Sequence, residues 1–280
     1  MAISGATRLA GVIGAPIRHS LSPAIFNAAF EACELDWAYL AFEVRPGDAH
    51  RALEAMRTLD IGGLSVTMPH KDTVAELVDV CAPEAAALHA VNCVVATAEG
   101  LLGENTDGPG FLDALRAEVG FEMSGRRAVV LGAGGAARAI VLALSRAGAL
   151  QVSVVNRTAA RAEIAAALAG PVGRVATIDA IAGADLVVNA TSVGMGDGRA
   201  PFDASLLAAG QVVADIVYHP RPTPLVSAAR ERGIVAVDGL GMLVHQAGHA
   251  FRLWTGLEPP IQAMTEAARA ELASRNPESD

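Results

Sequence analysis

The stretch that most constrains this chain is 129–139, which reads VVLGAGGAARA. Val129, Val130 and Leu131 close a short apolar strand. Gly132, Gly134 and Gly135 follow, and a run rich in Ala and Leu is then predicted helical over 136–148. A strand passing through a tight glycine turn into a helix is the phosphate-cradling start of a dinucleotide-binding βαβ unit. Gly132 permits the sharp turn, and Gly134 lets the backbone approach a pyrophosphate. Ala137 takes the third small position, where helix and strand pack closely. Free N–H groups at the helix start suit the pyrophosphate charge. A second strand, predicted over 151–155, ends in Asn156-Arg157-Thr158. A site for NAD commonly places Asp or Glu there to hold the ribose 2′-hydroxyl, whereas an arginine among polar groups suits a 2′-phosphate. Thr158 also reads as the N-cap of a helix ending near 170.

Strand and helix signals alternate along the rest of the chain, so the predicted class is α/β. Its 280 residues, 52% of them hydrophobic, suffice for one large or two modest cores. The first half predicts strands over 9–13, 37–42, 61–66, 90–97 and 101–103, with helices over 23–34, 47–59, 71–78 and 109–119. Further strands are predicted over 172–176, 185–188, 212–217 and 234–237. Helices follow over 203–208, 223–232, 242–254 and 261–272, with a disordered tail over 274–280. The boundary between packing units falls near 107–125. A net charge of −9 without a basic run argues against nucleic acid and acidic membrane surfaces. No apolar stretch reaches the roughly 18 residues of a membrane span. The opening MAISGATRLAGVIG lacks a charged region ahead of a clean apolar run, so no signal peptide is expected. Cys33, Cys81 and Cys93 are scattered and odd in number, which argues against a disulfide framework and for the cytoplasm. His245 and His249 lack the intervening Glu and third ligand of a helical zinc motif, so no metal is expected.

Lys71 is the only lysine in a chain otherwise served by arginine. Lysine can give up a proton under ordinary conditions and arginine cannot. Lys71 ends SVTMPHK, which leaves the 61–66 strand at its C-terminal end, where open α/β sheets bind ligands. Ser22 before Pro23 reads as an N-cap and N1 pair, which explains Ser22 and leaves Ser20 over. Two hydroxyls at a helix start could hold a carboxylate. Asp107 precedes the 109–119 helix and reads locally as its N-cap. NATSVGM, 189–195, leaves another strand end.

Taken together, HSLSP at 19–23, SVTMPHK at 65–71, AVN at 90–92, NTDG at 105–108, GAGGAAR at 132–138, NRT at 156–158, NATSVGM at 189–195 and GMLVHQA at 241–247 resemble the shikimate dehydrogenase family, in its order and over nearly the whole chain. The resemblance implies a two-domain architecture. An α/β substrate domain covers 1–107, a Rossmann-type NADP domain covers 108–238, and C-terminal helices over 239–280 return to the substrate domain, with substrate in the cleft. It implies that Ser20 and Ser22 bind the shikimate carboxylate and that Thr67, Asn92 and Gln246 hold ring hydroxyls. Lys71 and Asp107 would form the catalytic pair. Gly132, Gly134, Gly135 and Ala136 would meet the cofactor pyrophosphate, and Asn156, Arg157 and Thr158 the adenosine ribose and its phosphate. Thr191, Val217, Gly239 and Met242 would line the nicotinamide side. The family often shows NVT where this chain has Ser65-Val66-Thr67; serine is shorter but still hydrogen-bonds. The implied activity is reversible reduction of 3-dehydroshikimate to shikimate by NADPH in a monomer or homodimer, whose partner is a small-molecule substrate. The alternatives are a quinate/shikimate dehydrogenase preferring NAD, and a non-catalytic metabolite sensor, against which the intact Lys71 and Asp107 argue.

Overall fold

The computed structural model describes residues 3–275; of the tail expected to be disordered, 276–280 lies outside the described residues, whereas Ser274 and Arg275 close the last helix. Residues up to Thr106 together with those from Val244 onward form one compact unit, and Asp107–Leu243 form another.

In the first unit the elements are β1 (Arg8–Gly14), α1 (Ser22–Ala32), β2 (Trp37–Glu43), α2 (Ala49–Thr58), β3 (Gly63–Val66), α3 (Lys71–Leu77), β4 (Val80–Cys81), α4 (Pro83–Leu88), β5 (Cys93–Thr97) and β6 (Gly100–Glu104). They form a mixed sheet of order β2-β1-β3-β5-β6-β4. β1 runs parallel to both β2 and β3, while β5 runs antiparallel to β3 and β6. One core joins Ile13, Leu64, Val66 and Val94 to Leu53 and Met56 of α2. Another is aromatic: the Phe26 and Tyr39 rings stack at 4.4 Å, and Trp254 lies 4.9 Å from Phe26. Such ring pairs contribute about 0.5–1.5 kcal/mol beyond their buried area. The Trp254 indole N–H donates to the Val94 carbonyl at 3.1 Å, so its burial leaves no orphan donor.

Two expectations change here. The strand expected over 90–97 begins only at Cys93. Val91 N–H instead donates to the Lys71 carbonyl at 2.8 Å and Asn92 N–H to the Glu104 carbonyl at 3.0 Å. The apolar run is buried, as a strand would be, but tertiary bonds satisfy its backbone. β4 and α4 were not foreseen; Pro83 at the first turn of α4 is the local signal that marks it.

The second unit contains α5 (Asp107–Val119), β7 (Arg127–Leu131), α6 (Gly135–Arg146), β8 (Gln151–Val155), α7 (Ala159–Ala167), β9 (Gly173–Val175), β10 (Leu186–Asn189), β11 (Val212–Asp215), α8 (Pro224–Glu231) and β12 (Val235–Val237). α9 (Leu240–Thr255) carries the chain back to the first unit, where α10 (Ile261–Arg275) follows. The expected helix over 203–208 is a single 3-10 turn, Ala204–Leu206. The sheet is wholly parallel, in the order β9-β8-β7-β10-β11-β12. Its central strands β7, β10 and β11 are apolar on both sides over most of their length because both faces are covered. Val130, Val154 and Val188 join the core of Ile140 and Leu144 from α6; Val129, Leu131, Val187 and Val213 join that of Leu225 and Val226 from α8.

This order is that of the Rossmann fold, with its topological switch between β7 and β10. Gly132, just after β7, has φ +112°, and a Cβ there would stand 2.6 Å from the Ala190 carbonyl oxygen just after β10. Gly134 has φ −78°, and a Cβ there would meet nothing within 4 Å. We therefore expect Gly132→Ala to lower unfolding free energy by at least about 1–3 kcal/mol, and Gly134→Ala to stay within about 0.5 kcal/mol of wild type. Urea unfolding of both variants checks this, and equal losses would contradict it.

Candidate functional site

At the start of α1, the Ser20 hydroxyl oxygen accepts the Ser22 N–H at 3.2 Å. Leu21 already has helical backbone angles, and no side chain caps at the position before Ser22. The expected N-cap at Ser22 is therefore corrected: Ser20 performs the capping, because the chain enters helical geometry one residue earlier than the Ser-Pro pair suggests. Ser22 itself is buried. Tyr39 donates to the Ser65 hydroxyl at 2.8 Å, and burial pushes its pKa up. Ser65, shorter than the asparagine common in the family, is thus engaged by a buried tyrosine.

Thr67 N–H donates to the Ile13 carbonyl, and the Thr67 carbonyl accepts from His70 N–H, each at 3.0 Å. His70 is buried and its Nε2 donates to the Val44 carbonyl at 2.8 Å. Sequence reasoning left that histidine without a role. It anchors the loop one residue ahead of Lys71, the first residue of α3. The Lys71 carbonyl in turn holds Val91. Next to Val91, the Asn92 amide grips Thr106 twice: Nδ2 donates to Oγ1 at 3.0 Å, and Oδ1 accepts the Thr106 N–H at 2.8 Å. Gln246 completes the cluster, its Oε1 lying 3.5 Å from Thr106 Oγ1. The structure thus brings Asn92 and Gln246 together through Thr106.

The next residue, Asp107, is buried and opens α5 as its first helical residue, two positions earlier than expected. A negative charge in a first helical turn is favoured by the exposed peptide dipoles there.

In the second unit Gly134 occupies the N-cap position of α6 and Gly135 its first turn, followed by the half-buried Ala136. The ground before this helix start is open to a phosphate. Asn156 follows β8 and donates through Nδ2 to the Thr158 carbonyl at 3.0 Å. Arg157 is exposed. Thr158 stands at the N-cap of α7, yet its side chain makes no capping bond, so the local capping explanation is not realised. No carboxylate ends β8, and this set fits a phosphorylated dinucleotide.

Thr191 hangs from Asn189, whose Oδ1 accepts its hydroxyl at 2.7 Å and its N–H at 3.2 Å. Asn189 Nδ2 donates to Asp215 Oδ1 at 2.8 Å. Asp215 Oδ1 also accepts the Val217 N–H at 3.1 Å, and Oδ2 accepts the Thr223 hydroxyl at 2.7 Å. Burial pushes the Asp215 carboxyl pKa up, against these bonds. Sequence reasoning missed Asp215; the only signal was a carboxylate ending the apolar run VVAD. Gly239 N–H donates to the Val217 carbonyl at 3.1 Å, and a Cβ on Gly239 would collide with the Ile216 carbonyl oxygen. Gly239 and Met242 line a cavity of about 10 Å³ with Asp215 and Asp238. Among the described residues no group of three or more His, Cys, Asp or Glu could hold a metal, and no helix is long and apolar enough to cross a membrane.

Three family models match the chain. Residues 12–94 match the shikimate dehydrogenase substrate binding domain, 115–195 the shikimate/quinate 5-dehydrogenase family, and 239–269 the shikimate 5′-dehydrogenase C-terminal domain. The NADP(+) shikimate dehydrogenase of Geobacter sp. strain M21 is 47% identical, over 98% of this chain and 99% of its own length. The crystal structure of shikimate 5-dehydrogenase from Thermus thermophilus, in complex with NADP(H) and shikimate, superposes with a TM-score of 0.89 at 39% identity. The match covers 94% of this chain and 99% of that one. Quinate dehydrogenase from Corynebacterium glutamicum in complex with NAD superposes at 0.87 and 35% identity, over 94% and 99% of the two chains.

The Ser20 cap makes a stability forecast. Ser20→Ala should cost about 0.5–2 kcal/mol, as lost N-caps do, because it removes the acceptor of the Ser22 N–H. Denaturant unfolding of Ser20→Ala checks this, and an unchanged midpoint would return the cap to another group.

Proposed function

The chain belongs to the shikimate dehydrogenase family, and from that premise we propose that it catalyses the reversible, NADP-dependent interconversion of 3-dehydroshikimate and shikimate, a step of aromatic amino acid biosynthesis. One observation carries the assignment of residues. A short run of bonds leads from Lys71 through Val91 and Asn92 to Thr106, the residue before Asp107. Lys71 and Asp107, 36 positions apart in the chain, are thereby linked through two hydrogen-bonded steps.

In this reading the Ser20 and Ser22 hydroxyls receive the substrate carboxylate, and Thr67, Asn92 and Gln246 orient the ring hydroxyls. Asn92 arrives at that task with its amide already fixed by Thr106. NADPH, when bound, supplies the hydride that reduces the C3 carbonyl. Lys71 gives the proton that the developing alkoxide needs and stabilises its charge. Asp107 completes the pair, which takes the proton back in the oxidative direction. The turn at Gly132, Gly134, Gly135 and Ala136 holds the pyrophosphate, Asn156, Arg157 and Thr158 the phosphorylated ribose, and Thr191, Val217, Gly239 and Met242 the nicotinamide side. The enzyme acts as a monomer or homodimer. Its cytoplasmic location is part of the same proposal, supported by three cysteines that stand as free thiols.

Lys71→Ala should lower kcat at least about 100-fold, the usual scale for a lost acid–base group, with a much smaller change in the dissociation constant of shikimate. Lys71→Arg should not rescue, because arginine keeps the charge without giving up a proton. Steady-state kinetics with equilibrium binding test this, and near-wild-type turnover of Lys71→Ala would overturn the assignment. Arg157→Ala should reduce kcat/KM for NADPH about 10- to 100-fold, the worth of a charge-assisted hydrogen bond, and leave that for NADH unchanged. Oxidation of shikimate and of quinate with NADP⁺ and with NAD⁺ also decides against or for the NAD-preferring alternative; equal wild-type values for the two cofactors would refute the NADP reading.

A further inference from the structure

Asp215 is among the few buried charged residues of the described chain, and the chemistry above does not use it. It ends β11, and three groups donate to it: Asn189 Nδ2, the Val217 N–H and the Thr223 hydroxyl. The two carboxyl oxygens offer acceptors to all three. Its neighbours are polarised in one direction. Asn189 spends its amide hydrogens on Asp215 and on the Val193 carbonyl, at 2.8 and 3.1 Å, which leaves its oxygen to accept twice from Thr191. The Thr191 hydroxyl then accepts the Val193 N–H at 3.1 Å. On the other side Thr223 caps α8 by accepting the Val226 N–H, so the chain of bonds is moored to a helix start. Asp238, which shares the small cavity, is itself paired with Arg221 at 2.7 Å.

We propose that Asp215 is a positioning residue for the nicotinamide half of the cofactor site, setting Val217 directly and Thr191 through Asn189 in one arrangement. The proposal rests on the NADP reading of this site. Its physical basis is that the Thr191, Val193 and Val217 N–H groups, beyond the last backbone ladder bonds of β10 and β11, are accepted by side-chain oxygens, which therefore set the geometry of these loops. Removing the carboxylate leaves buried donors unpaired, and the two loops are released together.

Calorimetric titration with NADP⁺ and with 2′,5′-ADP, which carries the phosphorylated adenosine half and no nicotinamide, separates positioning from general destabilisation. Asp215→Ala should weaken NADP⁺ binding at least about 10-fold, as expected when buried donors lose their acceptor, and change 2′,5′-ADP binding by less than about 3-fold. Asp215→Asn should restore most of the NADP⁺ affinity, since its oxygen can serve Asn189 and Val217 while its amide donates to Thr223. Asn189→Ala severs the same chain beside Thr191 and leaves Asp215 two donors, so it carries the test if Asp215→Ala does not fold. Equal weakening of both ligands, no weakening of NADP⁺, or an Asp215→Asn protein as poor as Asp215→Ala would overturn the proposal. Wild-type protein that binds neither ligand would overturn the nucleotide reading, and the proposal with it.

Discussion

A buried peptide N–H must find an acceptor, and at strand ends and helix starts of this chain side-chain oxygens supply it. Asn92 accepts from Thr106, Asn189 from Thr191, Asp215 from Val217 and Ser20 from Ser22. An orphaned buried donor costs about 1–3 kcal/mol, a large share of the stability of an ordinary domain. Each of these loops is therefore held by a bond the fold cannot readily give up. Each also carries, or adjoins, a residue assigned to substrate or cofactor. Site geometry and fold stability draw on the same bonds.

The two sheets explain why the chemistry collects at strand ends. In the nucleotide unit the strands are covered on both faces, and successive residues such as Val129 and Val130 enter different cores. The interior of the central strands is largely apolar, and polar residues gather where the ladder stops: Asn156 after β8, Asn189 on β10 and Asp215 on β11. In the other unit the mixed sheet places the SVTMPHK loop after β3 and Asn92 before β5, on strands that are hydrogen-bonded neighbours. Residues 65–71 and 92 are distant in the chain but meet because β3 and β5 are antiparallel, so the exit of one lies beside the entry of the other.

Gly132 shows how closely backbone can be asked to approach backbone. Its positive φ and the Ala190 carbonyl beside it exclude a side chain, whereas Gly134 and Gly135 have open space. The three glycines look alike in sequence, and the reasons for them differ. One is needed for the fold; for the other two the folded chain alone gives no steric reason, and a ligand brought close to the helix start does.

The strand–turn–helix at 127–146, the βα alternation and the solitary lysine were legible in the sequence because they are local: periodicity, glycine spacing and composition do not depend on distant partners. The motif set carried the family for the same reason. What the sequence did not determine was the partner of each polar group. Ser22 reads as the cap, yet Ser20 caps, because packing begins the helix geometry at Leu21. Residues 90–92 read as strand, yet they bond to Lys71 and Glu104. Asp215 reads as a strand end, yet it gathers donors from the 189, 217 and 223 positions. The pattern of apolar residues determines which segments become strands and helices. Which oxygen meets which hydrogen is decided only when those segments pack, because a hydrogen bond depends on tenths of an ångström between residues that the chain itself keeps far apart.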